Sequence, residues 1–183
     1  MIEILVVCTA NICRSPMAEA LLRARVAERE LPTAVVSAGL LEGGQERPPE
    51  AAAVLVKRGI VLPDQLSRQL EQADLQHADL VLGMERAHVR YSVLLEPEAW
   101  SRSFTLKELV RRGSELGPRP PVESPGAWLA RAHEGRDRPD MLGDSALDDV
   151  ADPYGGPGSA YEAALTEIED LVDRLVSLLW PTG

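Results

Sequence analysis

The feature that most constrains this chain is a junction near its N-terminus. The apolar run Ile4-Leu5-Val6-Val7 leads into Cys8-Thr9-Ala10-Asn11-Ile12-Cys13-Arg14-Ser15, and Pro16 follows. A strand, a tight loop and a helix start are written in that order. A cysteine and an arginine with five residues between them can close a loop around a tetrahedral oxyanion. The main-chain N–H groups of Thr9, Ala10, Asn11, Ile12, Cys13 and Arg14 would point inward. The helix N-terminus adds partial positive charge, and Arg14 adds a planar fork for two oxygens. Cys8 then lies at the floor of the cradle as a nucleophile. Helix N-termini and nearby cations favour the thiolate of a cysteine, and the thiolate is the attacking species. Ser15 is placed to donate to the sulfur or to cap the helix. Pro16 suits a first helical turn, where no donor is needed. Asn11 is the loop residue best suited to left-handed backbone, and its amide can tie the loop together. The rival is a small buried Cys8 that merely ends a core strand. Asn11, Arg14, Ser15 and Pro16 together favour the cradle.

Composition narrows the partners. A chain of 183 residues with 45% hydrophobic content suits one domain, 1–183, with a full core. The net charge of −10 argues against nucleic acid or an anionic membrane as a bulk partner. No run of 18 apolar residues marks a membrane span. The chain opens directly in a strand without a charged leader, which points to the cytoplasm. Two cysteines in one loop make no disulfide framework. Their spacing with His77, His88 and His133 shows no metal-ligand pattern, so neither metal nor cofactor is expected.

Strand-like runs fall at 2–7, 34–37, 80–82 and about 103–105. Helical patterns cover 16–30, 49–58 before Gly59, 85–95, and 106–112 with Gly113 as its end. The last helix is the clearest, with Tyr161, Leu165, Ile168, Leu171, Val172, Leu175 and Leu179 on one stripe. The alternation predicts a three-layer α/β fold, a four-stranded parallel sheet with helices on both faces. Ligands of such sheets bind beyond the carboxyl ends of the strands, where the strand order switches. Residues 113–147 break the pattern with Pro118, Pro120, Pro121, Pro125, Pro139 and five glycines. The stretch reads as a solvated excursion, with a lid or docking segment as the functional alternative. Within it, 127–132 forms a short helical turn anchored by Trp128 and Leu129. Asp148 and Asp149 read as solvated turn residues.

The segment from Val7 to Glu19, VCTANICRSPMAE, resembles the signature of the low-molecular-weight protein tyrosine phosphatases. Ser37-Ala38-Gly39 resembles the end of that family's second strand. Ser67-Arg68-Gln69-Leu70 and Ala78–Met84 resemble its middle, and Asp152-Pro153-Tyr154 resembles its acid loop. The likeness spans most of 1–110 and 148–180, and it implies that 113–147 is an insertion. It implies strand order 2-1-3-4, with the switch beside the first strand. It also implies a cysteine-dependent phosphatase that hydrolyses phosphotyrosine in proteins through a phosphocysteine, with a tyrosine kinase among the conceivable substrates. Ser37 joins Ser15 as a supporting residue.

Expelling a phenolate calls for a general acid. Asp152 is the candidate, since Pro153 and the Gly155-Gly156 pair fix a loop able to reach the pocket. Ile12 at the rim, Leu40 and Tyr154 would form the substrate slot. Several positions depart from the family. Ala10 stands where glycine is frequent and needs a negative φ. Leu40-Leu41-Glu42-Gly43-Gly44 lacks the family's second aromatic wall. Gln65 replaces a histidine, and Gly155 follows Tyr154 where some members carry a second tyrosine. Three alternatives follow. Thioredoxin-coupled arsenate reductases relay oxidation through three cysteines, and this chain has two. Protein arginine phosphatases share the loop but carry threonine where this chain has Ile12. A non-catalytic phosphate-binding module would not need Cys8, Arg14 and Asp152 together. An oxidised Cys8 could be resolved by Cys13 as a disulfide, provided the loop brings their Cα atoms within about 7 Å.

Overall fold

The computed structural model describes residues 1–181. Its elements run β1 (Ile2–Cys8), α1 (Arg14–Glu28), β2 (Thr33–Gly39), α2 (Pro49–Val56), α3 (Gln72–His77), β3 (Leu80–Gly83) and α4 (Arg86–Leu95). A 3-10 turn (Pro97–Arg102) precedes β4 (Ser103–Thr105) and α5 (Leu106–Leu116). Then come α6 (Pro125–His133), a second 3-10 turn (Arg138–Met141) and α7 (Gly158–Leu179).

The four strands are parallel and ordered β2-β1-β3-β4, as the resemblance implied. Successive side chains of a strand point to opposite faces, and both faces of β1 are covered. Ile4, Val6 and Cys8 join one cluster with side chains of α1, α2, α5, α6 and α7. Leu5 and Val7 join another with Ala38, Leu70, Leu75, Val81 and Ala99. That burial explains why β1 reads as continuous apolar sequence rather than as an alternation. The register pairs Cys8 with Gly39, Val7 with Gly83, and Gly83 with Thr105. The carboxyl ends of all four strands therefore lie along one edge, with Cys8 at its centre.

Several sequence expectations change. Helix α5 does not stop at Gly113 but continues to Leu116, with Gly117 at φ 85° beyond it. Gly113 is there for packing: a Cβ would lie 2.7 Å from the Trp128 ring and 3.0 Å from Leu178. Residues 113–147 are mostly exposed, as foreseen, but a few side chains tie the segment into the core. Trp128, Leu129, Ala132 and Met141 are core residues, and the Trp128 indole donates to the Gly117 carbonyl at 3.0 Å. The helical turn foreseen at 127–132 is α6, longer at both ends and capped by the Ser124 hydroxyl. Arg136 is buried against Glu108 through two hydrogen bonds of 2.7 and 2.9 Å. Its guanidinium also lies 4.1 Å from the Trp100 ring centre and 4.0 Å from that of Phe104. Asp148 lies in a turn, as foreseen, but is not solvated: it is 1% exposed and bonds Arg86 and Arg111. Asp149 accepts the main-chain N–H groups of Arg86 and Ser145. Together the two aspartates fix the approach to Asp152. Among the described residues no helix is long and apolar enough to cross a membrane.

Candidate active site

Cys8 ends β1 and is 3% exposed. The Asn11 N–H donates to its sulfur at 3.2 Å, and the Ser15 hydroxyl does so at 3.0 Å. Asn11 takes φ 56°, the left-handed backbone foreseen for it, while Ala10 is not among the positive-φ residues. The Asn11 amide donates to Ser15 at 3.0 Å and to Ser37 at 2.8 Å, and its carbonyl oxygen accepts the Arg68 N–H at 3.1 Å. Ser15 is thus held from behind and turns its proton to the sulfur. Ser37 in turn donates its own hydrogen bond to the Glu19 carboxylate. The neighbouring strand end allows no side chain: a Cβ on Gly39 would lie 2.8 Å from Ala10 C and from Asn11 N. That contact explains why β2 must end in glycine beside the loop.

Arg14 opens α1 and is 1% exposed. Both terminal nitrogens of its guanidinium are engaged. Nη1 bonds the Glu85 carboxylate and the Val150 carbonyl, the latter at 3.0 Å. Nη2 reaches Asp152 Oδ2 at 2.7 Å and Thr9 Oγ1 at 3.3 Å. Asp152 lies at the surface, and its other oxygen accepts the Tyr154 N–H at 3.1 Å. The structure therefore brings Cys8, Arg14, Asp152, Ser15, Asn11 and Ser37 into one connected site. Tyr154 is 65% exposed beside it.

The proposed slot residues fare unevenly. Ile12 is not a rim residue: it is 5% exposed and packs within the large core cluster, backing the cradle from inside. Leu40 is half-buried and packs on the second cluster, while its N–H bonds the Cys8 and Thr9 carbonyls. Leu41, 49% exposed, is the more accessible side chain after β2. Cys13 is a free thiol turned toward the Tyr161 hydroxyl of α7, 3.9 Å away. Burial, countered by that hydroxyl, raises its pKa to about 12.

Two residues of the site escaped the sequence analysis. Glu85 pairs with Arg14. His88 is 1% exposed, 3.1 Å from Thr9 Oγ1, and its pKa falls to about 3 through burial and the charges of Arg14 and Arg90. The available signal was local: a glutamate and a histidine three residues apart form a capping box that opens α4, at the carboxyl end of the strand beside β1.

Fold and site define a class, an α/β protein with a buried cysteine under a helix-opening loop at the switch point of a parallel sheet. Residues 3–118 match the family described as Low molecular weight phosphotyrosine protein phosphatase, and the chain belongs to that family. It is similar to a protein-arginine-phosphatase of Geobacillus stearothermophilus, 36% identical over 97% of this chain and 95% of that one. It is also similar to the probable low molecular weight protein-tyrosine-phosphatase EpsP of Ralstonia nicotianae, 31% identical over 98% and 97% of the two chains. Among solved structures, a low molecular weight protein tyrosine phosphatase from T. tengcongensis aligns with a TM-score of 0.74 at 32% identity. That alignment covers 98% of this chain and all of the other. The protein is a phosphatase of this family.

Proposed function

We propose that the protein hydrolyses phosphotyrosine in protein substrates through a phosphocysteine. The observation that carries this is the depth of Cys8, 3% exposed at the floor of an arginine-containing loop. A long planar side chain can deliver its phosphorus there, whereas phosphoserine is too short. The phosphoryl group would settle on the loop N–H groups and on Arg14, taking the place of Asp152 at Nη2. The Cys8 thiolate then attacks phosphorus: the S–P bond forms and the ester P–O bond breaks. Asp152, released from Arg14 and protonated from solvent, gives that proton to the departing phenolate. In the second half-reaction Asp152 takes a proton from water, the oxygen attacks phosphorus, and the S–P bond breaks to free phosphate.

A second substrate has a specific observation behind it, since a protein-arginine-phosphatase is among the most similar relatives. Against it stands Ile12, an apolar side chain where arginine phosphatases of this family carry a hydroxyl. The test is the ratio of kcat/KM for a phosphotyrosine peptide and a phosphoarginine peptide at equal ionic strength. The wild type should prefer phosphotyrosine, and Ile12→Thr, acting from behind the cradle rather than by touching the substrate, should move the ratio toward phosphoarginine by no more than about ten-fold, the lower end of what one small contact allows. A wild-type preference for phosphoarginine would reverse the assignment while leaving the chemistry of the cradle intact.

A further inference from the structure

The buried histidine behind the cradle does more than open a helix. The Glu85 N–H can only donate, and it lies 2.9 Å from His88 Nδ1, so Nδ1 must carry a lone pair. The depressed pKa keeps the ring neutral at ordinary pH, and its single proton is therefore on Nε2. The Glu85 carboxylate is 3.8 Å from Nε2, beyond hydrogen-bonding distance, whereas Thr9 Oγ1 is at 3.1 Å. His88 thus donates to Thr9. Arg14 Nη2, which has no acceptor capacity, also points at Thr9 Oγ1 from 3.3 Å. A hydroxyl oxygen has two lone pairs and one proton. Both lone pairs are occupied, so the Thr9 proton is turned outward. Thr9 is only half-buried, beside the arginine nitrogen that also holds Asp152.

We propose that His88 is a positioning residue that makes the Thr9 hydroxyl a fixed hydrogen-bond donor to a phosphoryl oxygen seated on Arg14. The proposal rests on the phosphatase chemistry of the cradle and not on which phosphorylated amino acid it prefers. Thr9 would add a side-chain donor to a loop whose other donors are main-chain N–H groups and the guanidinium. Because that oxygen belongs to the bound substrate as well as to the transition state, losing the donor should raise KM more than it lowers kcat.

The experiment measures competitive inhibition by inorganic phosphate alongside hydrolysis of an aryl phosphate. Thr9→Val keeps the shape and removes the proton, and it should weaken phosphate binding about ten-fold, as for one hydrogen bond to a charged partner. Thr9→Ser keeps the donor and should bind phosphate nearly as the wild type does. His88→Gln should weaken binding to a similar degree, and the Thr9→Val/His88→Gln double variant should be no worse than Thr9→Val alone, since both remove one bond. Nitrogen NMR should find the His88 proton on Nε2. Unchanged phosphate inhibition in Thr9→Val, additive losses in the double variant, or a proton on Nδ1 would each overturn the proposal. If His88→Gln does not fold, the contrast between Thr9→Val and Thr9→Ser decides alone. A wild type that neither binds phosphate nor cleaves the aryl ester would sink the reading of the cradle itself, and this proposal with it.

Discussion

Arg14 and Cys8 are supported by opposite chemistries. The arginine, which only donates, is surrounded by acceptors, and the sulfur is surrounded by donors. Removing the sulfur should therefore abolish turnover without abolishing anion binding: Cys8→Ser loses hydrolysis and still binds phosphate, whereas Arg14→Ala loses both. Asp152→Ala should cost most with poor leaving groups and least with an acidic phenol, read as a steeper dependence of kcat on leaving-group pKa. An equal loss across the series would remove Asp152 from proton transfer. The two thiols should also differ. Cys13 is held protonated at neutral pH by burial, so iodoacetamide at pH 7 should carbamidomethylate Cys8 first and inactivate the protein in step with that modification. Peptide mapping by mass spectrometry checks this, and labelling of Cys13 at the same rate would contradict it. Gly39 has the narrowest tolerance. Gly39→Ala must push a main-chain segment of the cradle aside, which should lower phosphate affinity even where the fold survives.

At the scale of elements, β1 with its loop and α4 make one unit across the β1–β3 pair. This unit carries an acid sensitivity. A histidine with a depressed folded pKa binds its proton more readily in the unfolded chain. Stability should therefore fall as pH drops from about 6.5 toward about 3, by up to a few kcal/mol for His88. Asp148 adds to the same trend at lower pH: burial opposes its charge, but Arg111 and Arg86 outweigh that and hold its pKa down, so its contribution is lost once it is protonated. Urea unfolding across pH 4–7 should show His88→Gln with a flatter profile than the wild type, and parallel profiles would refute this. Much of this unit was legible in the sequence. The Cys8–Ser15 loop, the bend at Asn11 and the helix behind it follow from neighbouring residues, so local chemistry was enough. Glu85 and His88 were not legible because their partners, Arg14 and Thr9, are 71 and 79 residues away, and only strand order brings them together. Asp148 was misread for the same reason. An acidic run looks solvated until the distant arginines that bury it are in place.

For the whole molecule, residues 113–147 are a largely exposed segment tied to the core by a few buried side chains. A Pro- and Gly-rich segment without a long apolar stripe conceals this, because its anchors are single side chains: Trp128 under Gly113, and Arg136 on Glu108. Arg136→Leu should leave a buried carboxylate without its partner, at a cost of about 3–5 kcal/mol. In a chain of this length that corresponds to a fall in Tm of about 10 °C. Adding Glu108→Leu should recover part of the loss, and a double variant less stable than the single one would argue against the pair as the cause. Burial has another consequence, for the encounter with substrate. Arg14, the cation proposed to recognise phosphate, is 1% exposed and already paired with two carboxylates, while the chain as a whole carries a net charge of −10. An approaching acidic phosphopeptide therefore meets long-range repulsion before it meets Arg14. The range of that repulsion shrinks from about 30 Å at 0.01 M salt to about 8 Å at 0.15 M. Added salt should speed the capture of acidic phosphopeptides and slow that of lysine-flanked ones, a pair of opposite slopes in kcat/KM against ionic strength. On the proposed function, the fold would thus sort its substrates twice: by charge at a distance, and by the reach of the phosphoryl group once they arrive.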